Sequence, residues 1–138
     1  MLRIGKNFCQ NNHIGLTDII SCVNNADFDN QEHQELLTVG FKDDNLDKRL
    51  NAQYVFDLNF NTEQLFELID NNMNSLKGVF FTRSTNQGIP RIWQQWLNVS
   101  EYCENLNIYT QALPTPSVRG GTIRNKILRW RQEIENCM

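Results

Sequence analysis

The second half of the chain alternates helical and strand patterns, and this alternation limits the fold more than any other feature. Two short apolar runs, GVFFT at 78–82 and NIYTQAL at 107–113, are typical of buried strands. Between them the spacing predicts a helix from Pro90, which suits a first helical turn, to about Tyr102. Strands joined through a single helix are parallel, with a right-handed crossover. We therefore expect residues 78–82 and 107–113 to be parallel neighbours in one sheet.

Two further amphipathic helices flank this unit. Asn61 can cap the first, with Gln64 in capping-box register. Thr122 can cap the last. Their apolar faces are formed by Leu65, Phe66, Ile69, Met73 and Leu76 in the first, and by Ile123, Ile127, Trp130 and Ile134 in the last. The succession predicts an α/β fold with three layers, a mostly parallel central sheet flanked by helices.

The first half is less regular. The pattern LTDIISCVNN at 16–25 favours a helix, and ELLTVGF at 35–41 fits either a strand or a helix. Residues 24–34 and 42–52 are polar and rich in turn formers. With no internal repeat and no low-complexity linker, residues 1–138 are interpreted as a single domain.

Composition excludes several classes of function. No apolar run approaches the length of about 20 residues that a membrane helix needs, and the polar N-terminus lacks a signal-peptide pattern. The four cysteines are scattered without a CxxC pair, and the two histidines are far from them. We therefore expect reduced thiols, a cytoplasmic location, no membrane partner, and neither a metal nor a cofactor.

Charge is unevenly distributed along the chain. Residues 119–131 hold five of the thirteen Lys and Arg residues and no acid, whereas the other eight cations face all sixteen acids, leaving −8 elsewhere. The five are Arg119, Arg124, Lys126, Arg129 and Arg131. One interpretation is a solvated helix face balanced by acids from elsewhere. The other is a surface that binds anions, most plausibly the phosphates of a nucleic acid.

The loop before this helix, LPTPSVRGG at 113–121, favours the second interpretation. Ligands of parallel α/β sheets collect beyond the carboxyl ends of the strands, where this loop begins. Thr115, Ser117, Arg119 and the N–H groups near Thr122 can all contact a phosphate. Prolines keep such a loop rigid, although they can also serve only to stop the strand.

These residues resemble a known family. LPTPS at 113–117 is similar to the second conserved motif of the uracil-DNA glycosylase superfamily, in which a proline–serine loop enters the minor groove beside a flipped nucleotide. The mismatch-specific branch has Asn-Pro-Ser there, and a hypoxanthine-type branch has Leu-Pro-Ser. HIGLTDII at 13–20 resembles the Gly-aromatic-Thr-Asn/Asp segment, and KGVFFTR at 77–83 resembles the third strand, where Arg83 replaces the family's glycine.

The resemblance implies base-excision repair, that is, hydrolysis of the N-glycosyl bond of a flipped base without metal or cofactor. Thr17 and Asp18 would line the base pocket, with Asp18 as a candidate catalytic base, or only as an acid near a helix start. Leu113 and Val118 would be apolar wedges in the minor groove. The implied DNA contacts are Leu113, Pro114, Thr115, Pro116, Ser117, Val118, Arg119, Arg124 and Lys126.

The chain departs from the family at its first motif. Family members carry a first strand that ends in a Gly-x-x-Pro loop and orients the hydrolytic water. The three prolines of this chain are Pro90, Pro114 and Pro116, so no such loop precedes residue 90. We expect a sheet without its first strand, which could associate with a second copy through the open edge. Two functions remain open, a DNA glycosylase of doubtful activity and a non-catalytic α/β module that binds nucleic acid or protein; the motif similarities could also arise by chance.

Overall fold

A computed structural model describes residues 14–38, 42–115 and 122–137. Its strands are β1 (Ile20–Val23), β2 (Arg49–Leu50), β3 (Gln53–Tyr54), β4 (Leu58–Phe60), β5 (Gly78–Phe81) and β6 (Tyr109–Ala112). Its helices are α1 (Gln31–Thr38), α2 (Asp43–Leu46), α3 (Thr62–Asn71), α4 (Pro90–Asn105) and α5 (Ile123–Asn136). The protein is therefore a mixed α/β structure.

The prediction that residues 78–82 and 107–113 form neighbouring parallel strands is confirmed. β5 and β6 pair in parallel, with Gly78 opposite Tyr109 and Phe81 opposite Ala112. Helix α4 connects them, begins at Pro90 as expected, and continues three residues beyond the predicted end at Tyr102. The strand–helix–strand pattern predicted this pair because a helix between two strands of one sheet provides the crossover connection that parallel strands need.

A mostly parallel central sheet is not found in the described parts of the chain. The strands form three separate two-stranded sheets, and two of these are antiparallel, β1 with β4 and β2 with β3. β2 and β3 form a hairpin whose loop residues, Asn51 and Ala52, both have positive φ, as a two-residue turn of the primed type requires. The three-layer prediction is thus too specific, because the first half of the chain pairs with itself.

The helix predicted at 16–25 is wrong, since Ile20–Val23 is strand β1. Backbone pairing with β4 overrides the helical spacing of the apolar residues, and the register shifts between Ile20 and Cys22 as in a β-bulge. The ambiguous segment at 35–41 is helical as far as Thr38, in α1, and its last three residues lie outside the described part.

Two apolar clusters form the core. The larger lies between α3, α4 and the β5–β6 pair and contains Ile69, Trp96, Val99, Cys103 and Ile108. The smaller lies beneath the β1–β4 pair and contains Leu37, Leu46, Phe56 and Leu58. Of the apolar positions that the helical period selects, Ile69 on α3 and Ile92 and Trp96 on α4 are buried, whereas Leu97 on α4 is exposed. Met73 and Leu76 lie beyond the end of α3 at Asn71, and Met73 is exposed.

Helix α5, the last helix, does not bury the apolar face that the sequence predicted for it. Thr122 caps α5 as predicted, because its Oγ1 accepts a hydrogen bond from the backbone N–H of Asn125 at 3.2 Å. Yet α5 buries Lys126 and Glu133, while its isoleucines are exposed. The exposed apolar side chains of α5 are Ile123, Ile127, Leu128 and Ile134. The predicted apolar face exists, but apart from half-buried Trp130 it lies on the surface.

Candidate nucleic-acid interface

Residues 113–115, the described part of the loop after β6, lie at the carboxyl ends of both parallel strands, as predicted for the start of this loop. The backbone N–H of Leu113 donates to the carbonyl oxygen of Phe81 at 2.8 Å. The hydroxyl of Thr115 donates to the carbonyl oxygen of Thr82, also at 2.8 Å. These two hydrogen bonds tie the first residues of the loop to the end of β5.

Helix α5 is joined to the same loop. The indole N–H of Trp130 donates to the carbonyl oxygen of Pro114 at 2.8 Å, and the Trp130 ring contacts Phe80 on β5. At the start of α5, Arg124 is exposed and has no ion pair or hydrogen bond within residues 14–38, 42–115 and 122–137. Thr115 and Arg124 therefore give this end of the sheet a hydroxyl and an unpaired cation.

Two predicted DNA contacts are not on this surface. Leu113 is fully buried, so its side chain is part of the core and is not an exposed wedge. Lys126 is only 8% exposed and lies on the side of α5 that packs against the protein. The resemblance fixed the positions of these two residues in the sequence but not the direction in which their side chains point. Pro116, Ser117, Val118 and Arg119 lie outside the described residues.

The two predicted base-pocket residues precede a strand. Thr17 and Asp18 are both exposed and come just before β1. Asn61 holds this segment, since its side-chain amide donates to the carbonyl oxygen of Asp18 at 3.1 Å and its backbone N–H donates to Ile19 at 2.8 Å. Asn61 precedes α3 as predicted, but its side chain does not cap that helix.

Asp18 lies near a second acid that the sequence did not single out. Burial raises the pKa of Asp43, the negative charges of Asp44, Asp18 and Asp47 raise it further, and the Arg83 guanidinium opposes them. A carboxyl whose pKa is raised in this way can hold or accept a proton nearer neutral pH than an ordinary aspartate. No three His, Cys, Asp or Glu side chains among the described residues form a group that could hold a metal ion.

Arg83, which follows Thr82 after the end of β5, has a defined position. Its Nη1 lies 2.8 Å from Asp44 Oδ1, and its Nη2 donates to the carbonyl oxygen of Gln87 at 2.8 Å. Gly88 follows with a φ of +77°, and a Cβ there would lie 3.1 Å from the Asp44 carboxyl group. Because Arg83 comes directly after Thr82, these contacts bring Asp43 and Asp44 to the carboxyl end of β5.

A buried ion pair fixes the neighbouring start of α4. Asp47, fully buried, accepts hydrogen bonds from Arg91 Nε at 2.6 Å and from the backbone N–H groups of Arg91 and Ile92 at 2.9 and 3.1 Å. The Arg91 guanidinium also donates to Phe56 and lies 3.8 Å from the ring centre of Tyr54. The sequence did not predict this pair because its partners are 44 residues apart, and Asp47 lies in a segment that was interpreted as turns.

Comparisons with protein-family models, with curated proteins and with solved structures found no match to this chain. In the described part of the chain, the helices are all too short or too polar to cross a membrane.

Proposed function

We propose that this protein binds duplex DNA with the surface where β5 and β6 end and α5 begins. The observation that carries the proposal is the pairing of an anchored loop with an unpaired cation. Thr115 is held by Thr82, and Arg124 is exposed in the first turn of a 14-residue helix. Free N–H groups at a helix start and an arginine beside them favour a phosphate.

Charge elsewhere on the molecule would orient this binding. An open groove of about 600 Å³ runs between α3 and α4, and its lining contains Glu63 and Glu101 but no Lys, Arg or His. Phosphates are repelled there, whereas α5 and the loop before it together carry five cations and two acids, Glu133 and Glu135, and so have a positive net charge. The protein would therefore meet DNA with the α5 end of the sheet and keep the α3–α4 groove away from it.

The test is the salt dependence of duplex binding. Removing one phosphate contact by Arg124→Ala should weaken binding and reduce the slope of log K against log[salt] by about one unit. Arg119→Ala should act in the same way, because the proposed surface includes the loop. The matched control is Lys77→Ala, since Lys77 is an exposed cation that precedes β5 and so lies at the opposite end of that strand.

Two outcomes would refute DNA binding by this surface. One is the absence of affinity for duplex DNA at low salt. The other is an equal loss of affinity in Lys77→Ala and Arg124→Ala, which would indicate attraction by overall charge alone. The cytoplasmic location stays a prediction.

A second candidate function is base excision, and the observation that favours it is that Asp18 lies close enough to Asp43 to contribute to the raised pKa of the Asp43 carboxyl. A carboxylate there can take a proton from the water that attacks the anomeric carbon while the base leaves. The chain lacks the Gly-x-x-Pro loop that orients this water in the family. Positioning and general-base effects are commonly worth factors of about a hundred or more in rate. We therefore expect excision to be very slow or absent.

The assay is strand cleavage by alkali on duplexes that contain uracil or hypoxanthine opposite each partner base. Binding without cleavage would support the DNA-binding module alone. Robust multiple-turnover excision would instead make the protein a glycosylase, and Asp18→Asn and Asp43→Asn would then identify its base. Excision that is unchanged in both variants would exclude a catalytic role for both carboxylates.

A further inference from the structure

Helix α5 presents an apolar ridge to the solvent. Ile123, Ile127 and Ile134 are 51%, 59% and 37% exposed, while Lys126 and Glu133 on the same helix are buried. At 3.6 residues per turn, the three isoleucines lie within about 40° of one another around the helix axis. They form one stripe along α5, which we call the isoleucine ridge, with Trp130 between Ile127 and Ile134 turned toward Phe80.

The ridge has a charged flank that holds Arg124 near the start of α5 and the ion pair of Arg131 with Glu135 near its end. Arg124 and Glu135 lie on the same side of the isoleucine ridge, about 100° and 120° from Ile123 in the direction of Ile127. Arg124 is near the start of α5, and Glu135 is near its end. Glu135 lies 3.4 Å from Arg131, but its side chain is 66% exposed and its carboxylate can accept from a second cation.

From this pattern we infer that two copies of the chain associate through antiparallel packing of their α5 helices, ridge against ridge. Antiparallel helices related by a two-fold axis bring the same flank of each helix together, with opposite ends side by side. Each Arg124 then lies beside Glu135 of the other copy, and the contact occurs twice. Parallel packing about a two-fold axis along the helices would instead put like charges at the same level.

A second copy of the chain fits the isoleucine ridge because this surface is complementary to itself. The isoleucine ridge supplies apolar surface whose burial is favourable, and an identical helix running in the opposite direction places its Glu135 beside Arg124. This interface differs from the association through an open sheet edge that the sequence suggested. It does not rest on DNA binding, although Arg124 takes part in both proposals.

The first experiment is sedimentation velocity of the full chain without DNA over a range of concentrations. Wild-type protein should shift from one to two chains as concentration rises. Ile127→Gln should remain a single chain at concentrations where wild type is paired. Its fold should be intact by circular dichroism, since Ile127 is exposed in the single chain. The matched control is Leu68→Gln, because Leu68 is 51% exposed on α3, and this variant should pair like wild type.

The second experiment exchanges the flanking charges. Arg124→Glu and Glu135→Arg should each weaken pairing about tenfold, because each loses two ion pairs and gains like charges. The double variant should recover most of the wild-type affinity. Wild-type protein that stays a single chain at all concentrations, pairing that survives Ile127→Gln, or a double variant no better than the single ones would each overturn the inference.

Discussion

Helices α4 and α5 pack on opposite faces of the same two strands, but they do so with opposite chemistry. On one face, Phe81 of β5 stacks on Trp96 of α4 at 5.2 Å between ring centres, within an apolar cluster. On the other face, Phe80 meets the Trp130 ring of α5 at 6.1 Å, and beside it the Tyr109 hydroxyl donates to the buried carboxylate of Glu133. Adjacent strand residues thus supply similar rings to both faces.

The difference between the two faces comes from the helices. α4 buries Ile92, Trp96, Val99 and Cys103, so each turn contributes apolar burial to stability. α5 buries a lysine and a glutamate and leaves its isoleucines in water. A helix that is attached by polar contacts and carries an apolar ridge is suited to binding something else. α4 therefore belongs to the core, and α5 is the helix that carries the contacts we propose with DNA and with a second copy.

The largest effect should come from the anchor at the start of α4. Asp47→Ala removes the buried partner of half-buried Arg91 and the acceptor of two backbone N–H groups, so we expect a loss of about 3–5 kcal/mol in the free energy of unfolding. Asp44→Ala is the matched control, because its ion pair with Arg83 is half exposed and should contribute no more than about 1 kcal/mol. Urea denaturation measures both, and similar losses would show that Asp47 does not anchor α4.

A direct comparison of the two helices uses the same substitution in each. Ile92 is 1% exposed on α4 and Ile127 is 59% exposed on α5. Ile92→Ala should cost about 2–5 kcal/mol through lost burial and the cavity left behind. Ile127→Ala should change stability by no more than about 0.5 kcal/mol in dilute protein, where the chain is single. Chemical denaturation at low protein concentration measures the free energy of unfolding of both variants. Equal losses in the two would contradict an exposed isoleucine ridge.

A smaller effect concerns the thiol on the buried face of α4. Burial raises the pKa of Cys103 to about 11, with a further contribution from the negative charge of Glu104. Because the thiolate is the nucleophile, Cys103 should react with iodoacetamide far more slowly than exposed Cys22 at neutral pH. Peptide mass spectrometry over time follows both sites. Denaturant should remove the difference, and equal rates in the native protein would show that α4 opens readily.

Part of the candidate site could be predicted from local sequence. The position of Thr115 followed from the order of the elements, since parallel strands that are joined through a helix end at the same edge of their sheet. The roles of Asp43, Asp47 and Arg83 could not be predicted in this way. Their contacts join segments that are about 40 residues apart, and no local period in the sequence records such a pairing.

The sequence by itself determined the helices from residue 62 onward, the β5–β6 pair and the Thr122 cap. The helices and the cap depend on spacing within one segment, which backbone geometry converts directly into structure, and the β5–β6 pair depends on the order of strand, helix and strand. Only the tertiary structure decided that residues 20–23 form a strand, because the hydrogen bonds come from β4. It also decided that Lys126 is buried and Ile127 is exposed. The helical period defines which residues share a face, but the rest of the fold determines which face meets the core and which meets water.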